Sequence, residues 1–143
     1  MADCVFCKIV SGEIPSIKIF EDEKTLAFLD INPLTYGHCL IIPKEHYEDV
    51  FDIPFDGLKT VISNAKTLAN NIKSSLSAKG VNLVNASGEA AGQSVPHFHI
   101  HIIPRYEDDK LEFNQWWQSK AKQAGPEELK KLAEQIKKDN YRN

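Results

Sequence analysis

The sequence contains no apolar run that approaches the roughly 20 residues needed to cross a bilayer. Its first residues, Met1 to Cys4, lack the basic and apolar segments of a secretory signal. A formal net charge of -3 gives no general positive field that would hold nucleic acid. We therefore expect a cytoplasmic protein whose partners include neither a membrane nor nucleic acid.

Cysteine is scarce, with Cys4, Cys7 and Cys39 as the three examples. An odd number of cysteines in a protein expected to be intracellular argues against a disulfide framework. The spacing Cys4-x-x-Cys7 is typical of a metal or redox pair. A redox pair usually opens a helix after a strand in a βαβ unit, which this sequence lacks, and two free buried thiols are the remaining alternative.

Short apolar or alternating runs bounded by turn residues predict five strands. The breaks after the first two runs are too short for a crossover helix, so we expect the first three strands to form an antiparallel meander. The predicted strands are Ile17–Phe20, Thr25–Asp30, Cys39–Pro43, Val81–Asn85 and Phe98–Ile103.

One long amphipathic helix is predicted by apolar residues spaced three and four apart from Leu58 to Leu76, with Asp56 as N-cap and Gly80 as stop. A C-terminal helix is predicted to begin at Pro126, and a short helix near Cys4. The fold class is α+β: a mainly five-stranded antiparallel meander sheet with the long helix packed on it and the helices on one face.

Three histidines alternate with apolar residues in the last predicted strand and at the residue just before it. Because side chains alternate faces in a strand, His97, His99 and His101 should share one face, while Phe98 and its apolar neighbours enter the core. Such a row suits an anion, a metal, or a nucleophile flanked by proton donors, and the spacing alone does not choose among them. The preceding residues 85–95 are rich in small side chains, so backbone amides there could cradle phosphate.

The stretch from His97 to Ile103 resembles the His-φ-His-φ-His-φ-φ signature of the histidine triad superfamily, where φ is hydrophobic. Other blocks in the family's order strengthen the resemblance, which covers roughly Cys4 to Arg105. The opening block is similar to the branch that hydrolyses nucleoside phosphoramidates. These blocks are residues 4–10, 28–33, 37–44 and 92–95.

The resemblance implies a two-step nucleotidyl transfer. His99 would attack the α-phosphorus and form a covalent nucleotidyl-histidine, which water then hydrolyses. His101 and His38 would hydrogen-bond phosphate oxygens, and Ser94 would stabilise the developing charge and assist the leaving group. Ser94, His101 and His38 are all open candidates for the general acid.

The resemblance also implies a nucleotide pocket. Asp30 would accept the ribose hydroxyls, Asn85 and Gln93 would lie near the ribose and phosphate, and Val95 belongs to the same binding block. The base would lie against apolar side chains, although plain core packing explains these residues equally well. They are Val5, Phe6, Ile9, Phe28, Ile31 and Leu40.

Cys4 and Cys7 have the spacing of two thiolates that chelate one tetrahedral Zn²⁺. His46 and His97, to which the resemblance gives no role at the phosphate, are the candidates for the other two ligands. Histidine triad proteins with this cysteine pair are similar to that arrangement. We therefore expect a structural Zn²⁺ and no organic cofactor.

The leading interpretation is a hydrolase of purine nucleoside phosphoramidates or acyl-nucleotides, similar to an adenosine 5′-monophosphoramidase. A dinucleoside polyphosphate hydrolase using the same histidine is the nearest alternative. A purine nucleotide sensor or interaction module is a second alternative, and a metal-storage or metallo-hydrolytic protein that uses all three strand histidines as ligands is a third.

Two regions are predicted: a histidine triad domain over residues 1–110, and a C-terminal extension over residues 111–143 that packs on this domain or on a dimer partner. Trp116 and Trp117 lie in a polar stretch of the extension, and adjacent tryptophans cannot both face the same side of a helix or strand. Since family members are commonly homodimers, these tryptophans are candidates for forming the dimer or shaping leaving-group specificity. Packing within their own domain is the equal alternative.

Overall fold

A computed structural model describes residues 3–139 of the chain. The chain divides into two compact units, the first ending at Lys110 and the second beginning at Leu111. In the described part of the chain, no helix is long and apolar enough to span a membrane.

The first unit contains one five-stranded sheet whose neighbouring strands are all antiparallel. The first three strands form the predicted meander. The fifth strand lies between the third and the fourth, so the order is β1-β2-β3-β5-β4. The strands are β1 Lys18–Glu21, β2 Thr25–Leu29, β3 Cys39–Pro43, β4 Gly80–Val84 and β5 Ile100–Arg105.

Both faces of the central strands β2 and β3 are buried, each against a different helix. Helix α2, Phe55–Ser75, packs on the face that carries Ala27 and Ile41, whereas helix α1, Val5–Ser11, packs on the face that carries Phe28 and Leu40. The α+β prediction is confirmed, but the expectation that the helices share one face is wrong. Helix α1 is too short to show an amphipathic period from which its face could be read.

The predicted ends of the long helix need correction. Its N-cap is Pro54 rather than Asp56, which lies in the first turn. Proline suits this position because its missing N–H would have no partner within the helix. At the other end Leu76 is the C-cap and Ser77 takes a φ of 56°, so the helix stops before Gly80, which begins β4.

Strand β5 begins at Ile100, two residues later than predicted. The backbone before it is bent, because the His97 N–H donates to the Val95 carbonyl (2.8 Å) and the Phe98 N–H donates to the Tyr47 carbonyl (2.7 Å). Only His101 of the three histidines is therefore in the strand. Phe98 does enter the core beneath α2, as predicted.

The second unit contains helices α3, Phe113–Lys120, and α4, Pro126–Asp139. Helix α4 begins at Pro126 as predicted, but α3 was not predicted from the sequence. Its aromatic side chains form a cluster in which the Phe113 ring centroid lies 6.0 Å from that of Trp116 and 5.8 Å from that of Trp117. How the extension packs on the domain or on a partner stays a prediction.

Candidate active site

A cavity of about 380 Å³ opens where α1, β2, β3 and the loop before β5 meet. Its apolar wall comes mainly from α1 and β2, and its polar end carries Asp30, Ser94, His99 and His101. The structure brings together most of the side chains that the resemblance selected. Those lining this cavity are Val5, Phe6, Ile9, Phe28, Asp30, Ile31, Leu40, Ser94, Val95, His99 and His101.

The tautomer of His99 follows from its hydrogen bond. Its Nδ1 lies 2.7 Å from the His97 carbonyl oxygen, which only accepts, so Nδ1 carries the proton and Nε2 keeps its lone pair. The Asn85 side-chain amide donates to the His99 carbonyl (2.9 Å) and so anchors this residue's backbone. The ring is buried, with Phe6 edge-on at a centroid distance of 5.2 Å. His99 thus presents one unprotonated nitrogen.

Burial lowers the pKa of His99, against the opposing effects of its bond to the His97 carbonyl and of the Asp30 charge. A lowered pKa keeps the imidazole neutral at pH 7, and a neutral imidazole is the nucleophilic form.

His38 and His101 form a hydrogen-bond chain behind the cavity. The Leu34 N–H donates to His38 Nδ1 (3.0 Å), so the His38 proton is on Nε2, 2.9 Å from His101 Nδ1. His101 Nδ1 therefore accepts, and a neutral His101 carries its proton on Nε2. His38 does not line the cavity, so any effect it has on a phosphate would pass through His101.

Asp30, His38 and His101 also lie close enough together to hold a metal ion, with the Asp30 Oδ2 atom 3.6 Å from His38 Nε2. The tautomers argue against this use. Because the Leu34 amide occupies His38 Nδ1, the neutral ring has its proton on the nitrogen that faces the other two groups. A metal ligand would need that nitrogen unprotonated, so this group fits proton donation better than metal binding.

The His101 environment predicts an acid-dependent loss of stability. Burial first, then His99 and His38, lower the pKa of His101 to about 4, while Asp30 opposes the shift. The unfolded state, with its ordinary pKa near 6.5, binds the proton first as pH falls, so the free energy of unfolding should decrease between about pH 6.5 and pH 4.

We expect His101→Asn, whose side-chain oxygen can still accept from His38, to lose less stability over this range than the wild type. Urea unfolding of both proteins at pH 7.5 and pH 5, with chelator present throughout so that metal release does not contribute, measures the difference. Equal losses in the two proteins would contradict the assignment.

The loop before His97 is held by the side-chain amide of Gln93. Gln93 accepts from the Gly88 N–H (2.7 Å) and donates to the carbonyls of Glu48 and Val95 (2.7 and 3.1 Å). Neither Gln93 nor Asn85 is among the residues that line the cavity. Their predicted place near the ribose and phosphate stays a prediction. Ser94, between these bonds and the histidines, does line the cavity.

The predicted metal ligands converge beside the cavity. His97 Nδ1 lies 3.3 Å from Cys4 Sγ, 3.6 Å from Cys7 Sγ and 3.2 Å from His46 Nδ1. Cys7 Sγ lies 3.3 Å from His46 Nδ1. All four ligand atoms are within 4.8 Å of one another. We call these four residues the metal cluster.

The donor set fits tetrahedral zinc. Typical Zn–N and Zn–S bond lengths place two ligand nitrogens about 3.3 Å apart, and a nitrogen and a sulfur about 3.6 Å apart. His97 Nε2 lies 2.8 Å from the Pro43 carbonyl, so it carries the ring proton and Nδ1 faces the cluster as a lone pair. Neither candidate metal group in the described residues contains His99, which disfavours a metal site built from all three triad histidines.

Several cavity residues were missed by the sequence reasoning. They belong to the turn between α1 and β1 and to the end of β2, namely Ile14, Pro15, Ser16, Leu29 and Asn32. Among the described residues, Ser16 Oγ is the buried side-chain oxygen without a hydrogen-bond partner. No motif marks it, because its neighbours come from distant parts of the chain.

Ser16→Ala should stabilise the ligand-free protein, since a buried unpaired hydroxyl opposes folding. We expect the free energy of unfolding to rise by about 1 kcal/mol, measured by urea denaturation. Ser11→Ala is the matched control, because the Ser11 hydroxyl donates to the Lys8 carbonyl (3.0 Å) and its loss should not stabilise. A clear loss of stability in Ser16→Ala would show that the hydroxyl has a partner.

The antiparallel sheet, the histidine row and the position of the cavity define an α+β protein of the histidine triad type. Residues 11–108 match the HIT domain model. The chain belongs to the HIT domain family.

The chain is similar to relatives over most of its length. Protein hit of Bacillus subtilis is 43% identical over 136 residues, which cover 95% of this chain and 93% of that protein. Adenosine 5′-monophosphoramidase HNT1 of Candida albicans is 37% identical over 142 residues, covering 96% and 91%.

Solved structures agree with the fold. A crystal structure of the Streptococcus mutans protein SMU.412c matches with a TM-score of 0.88 and 39% identity, covering 97% of this chain and 86% of that one. A zinc-bound histidine triad family protein from Mycobacterium smegmatis matches with a TM-score of 0.75 and 43% identity, covering 78% and 81%.

Proposed function

We propose that this protein hydrolyses purine nucleoside 5′-phosphoramidates or acyl-nucleotides at the α-phosphorus and releases the nucleoside monophosphate. The fixed tautomer of His99 carries the proposal, because it leaves Nε2 unprotonated in a cavity with one apolar and one polar end. The name of the Candida albicans relative, adenosine 5′-monophosphoramidase, supports this substrate class.

In the first step His99 Nε2 forms a bond to the α-phosphorus while the bond from phosphorus to the leaving nitrogen or oxygen breaks. The leaving group takes its electron pair, and a leaving amine also takes a proton from solvent or from a neighbouring donor. The nucleotidyl-imidazole carries positive charge, which the Nδ1–H bond to the His97 carbonyl stabilises. The fixed hydrogen bond therefore favours the intermediate as well as orienting the nucleophile.

In the second step a water oxygen bonds to phosphorus, the bond from phosphorus to Nε2 breaks, and His99 regains its lone pair. The water's proton leaves to solvent or to a neighbouring base, and AMP is released when the nucleoside is adenosine. These two steps return the enzyme to its starting state.

The remaining residues bind and orient. Asp30 would accept the ribose hydroxyls, and the apolar wall would hold the base. His101, with its proton on Nε2, would donate a hydrogen bond to a phosphate oxygen or to the leaving group, and the hydrogen bond that it accepts from His38 would hold it in this tautomer. Ser94 is the second candidate donor at the leaving group.

Zinc is proposed as a structural ion held by Cys4, Cys7, His46 and His97. When bound, it would cross-link helix α1 to the segments that carry the two histidines. The zinc-bound structure from Mycobacterium smegmatis supports this proposal.

Substrate choice decides between phosphoramidate hydrolysis and the alternatives. We expect AMP release from adenosine 5′-phosphoramidate to exceed AMP release from diadenosine polyphosphates at equal concentration, as followed by chromatography. Faster cleavage of the diadenosine compounds would identify a dinucleoside polyphosphate hydrolase. AMP binding without turnover of either would identify a nucleotide sensor.

The C-terminal extension is proposed to pack on its domain or on a partner in a homodimer. Deleting residues 111–143 should therefore change either the oligomeric state in solution or the preference among leaving groups, because the aromatic cluster of α3 is removed. Light scattering measures the first effect, and a comparison of phosphoramidates with small and bulky amines measures the second. An unchanged oligomeric state together with an unchanged preference would reject this role.

A further inference from the structure

Helix α1 and its N-cap carry two sets of side chains: one belongs to the metal cluster and the other lines the cavity. Cys4, its N-cap, and Cys7 belong to the metal cluster, whereas Val5, Phe6 and Ile9 line the apolar wall of the cavity. Metal ligands and wall residues are therefore interspersed within six consecutive residues, about one and a half helical turns. A displacement of the helix cannot affect one set without moving the other.

The attachment of α1 to the sheet depends on side chains. Among the described residues, the backbone hydrogen bonds of residues 4–14 stay within that segment. Cys4 and Cys7 reach His97 and His46 through their sulfur atoms, and Phe6 joins the core cluster on this face of the sheet. The metal cluster thus provides the polar contacts that attach the helix to the sheet.

Phe6 connects the metal cluster with the nucleophile. Its ring packs edge-on against His97 at a centroid distance of 5.8 Å and against His99 at 5.2 Å. Edge-on contact also joins Phe6 to Phe28 of the wall, at 5.7 Å. The Phe6 ring, which would form part of the wall beside the base, is therefore in contact with the metal ligand His97 and with the attacking residue His99.

The histidines at the polar end of the cavity and next to it are held by hydrogen bonds that do not involve α1. The His97 ring is held by the Pro43 carbonyl, His99 by the His97 carbonyl, and His38 by the Leu34 amide. All of these bonds lie in the sheet and its loops. Loss of the metal would remove the polar attachment of α1 to the sheet and leave these hydrogen bonds and the apolar packing of Phe6 in place.

We propose that Cys4 and Cys7 are positioning residues for the nucleobase: metal bound in the cluster holds α1 as a wall of the pocket, so that zinc and the base bind cooperatively. This inference rests on the proposed nucleotide site. Without the metal, nucleotide binding must itself order the helix, which weakens affinity. By linkage, the nucleotide must tighten zinc binding by the same factor.

The first experiment compares two ligands on zinc-loaded and chelator-treated full-length protein by calorimetry. AMP carries the base, and ribose 5-phosphate carries only the sugar and phosphate. We expect removal of zinc to raise the Kd of AMP about tenfold or more and to leave the Kd of ribose 5-phosphate within about twofold. Cys7→Ser should reproduce the metal-free result, while Cys39→Ala, which removes a buried thiol outside the metal cluster, should behave as the wild type.

The outcomes separate the inference from the proposed function. An equal Kd of AMP with and without zinc overturns the inference and leaves the nucleotide site standing. Parallel weakening of both ligands also overturns it, because that result indicates general unfolding. Failure of AMP to bind in either metal state overturns the proposed function, and the inference with it.

A second measurement uses only the zinc-loaded protein. The rate of zinc release to a chromogenic chelator is followed with AMP, with ribose 5-phosphate and with neither. The inference requires AMP to slow the release and ribose 5-phosphate to leave it unchanged. Release that is insensitive to AMP at saturating concentration would overturn the coupling.

Discussion

Replacing His99 with alanine should abolish AMP release from adenosine 5′-phosphoramidate, by at least about 10⁴-fold in kcat/KM. The substitution removes the unprotonated Nε2 that forms the bond to phosphorus, and no other histidine of the described residues offers a lone pair in the same position. His101 has its Nδ1 occupied by His38, and His97 faces the metal cluster. A loss of this size corresponds to about 5.5 kcal/mol of transition-state stabilisation.

Two controls make the result specific to bond formation. AMP binding by His99→Ala, measured by calorimetry, should change by less than about tenfold, or 1.4 kcal/mol, since the apolar wall and Asp30 remain. Wild-type protein quenched in alkali during turnover should carry a nucleotide adduct that the variant lacks, as detected by mass spectrometry. Turnover by the variant near the wild-type rate would disprove nucleophilic attack by His99.

Removing zinc should lower the thermal stability of the first unit markedly. An ion that binds the folded state, at a free concentration a thousand times its Kd, contributes about 4 kcal/mol. For a protein of this size that corresponds to a fall in Tm of about 10–15 °C on chelation. The physical reason is that the metal cluster joins Cys4 and Cys7 to His97, which lies 93 and 90 residues away from them in the chain.

Scanning calorimetry with and without chelator measures this effect. Cys7→Ser should already have the lower Tm and should respond little to chelator, whereas Cys39→Ala should keep the full response despite any loss of core packing. A wild-type Tm that is unaffected by chelation, in protein shown by metal analysis to contain zinc, would contradict a structural role for the ion.

The sequence predicted the histidine row better than it predicted the backbone that carries it. Alternation placed Phe98 and Ile100 in the core correctly, because a side chain's burial depends on its apolar character. It could not show that His97 turns away from the strand, since that bend depends on a hydrogen bond from Phe98 to Tyr47. Loop contacts of this kind leave no periodic signal.

The positions of Asn85 and Gln93 likewise depend on loop contacts that the sequence does not reveal. Asn85 and Gln93 were selected by resemblance, but their positions are set by carbonyls and amides of Glu48, Gly88 and His99. A side-chain amide both donates and accepts, so the residue type alone does not distinguish a ligand contact from a loop support. The metal cluster was easier to predict, because two cysteines at this spacing and two unassigned histidines leave few combinations.

The place of β5 in the sheet also has a consequence for folding. This strand is the last of the sheet to be synthesised, yet it lies between β3 and β4, and Cys39 of β3 pairs with Ile102 of β5. Until residue 105 has been made, β3 and β4 each lack their partner on the side that β5 will occupy, and His101 has no strand to belong to. Long-range pairing of this kind slows folding, so the nascent chain passes through a state in which β3 and β4 are unpaired on these sides before the cavity with its histidines exists.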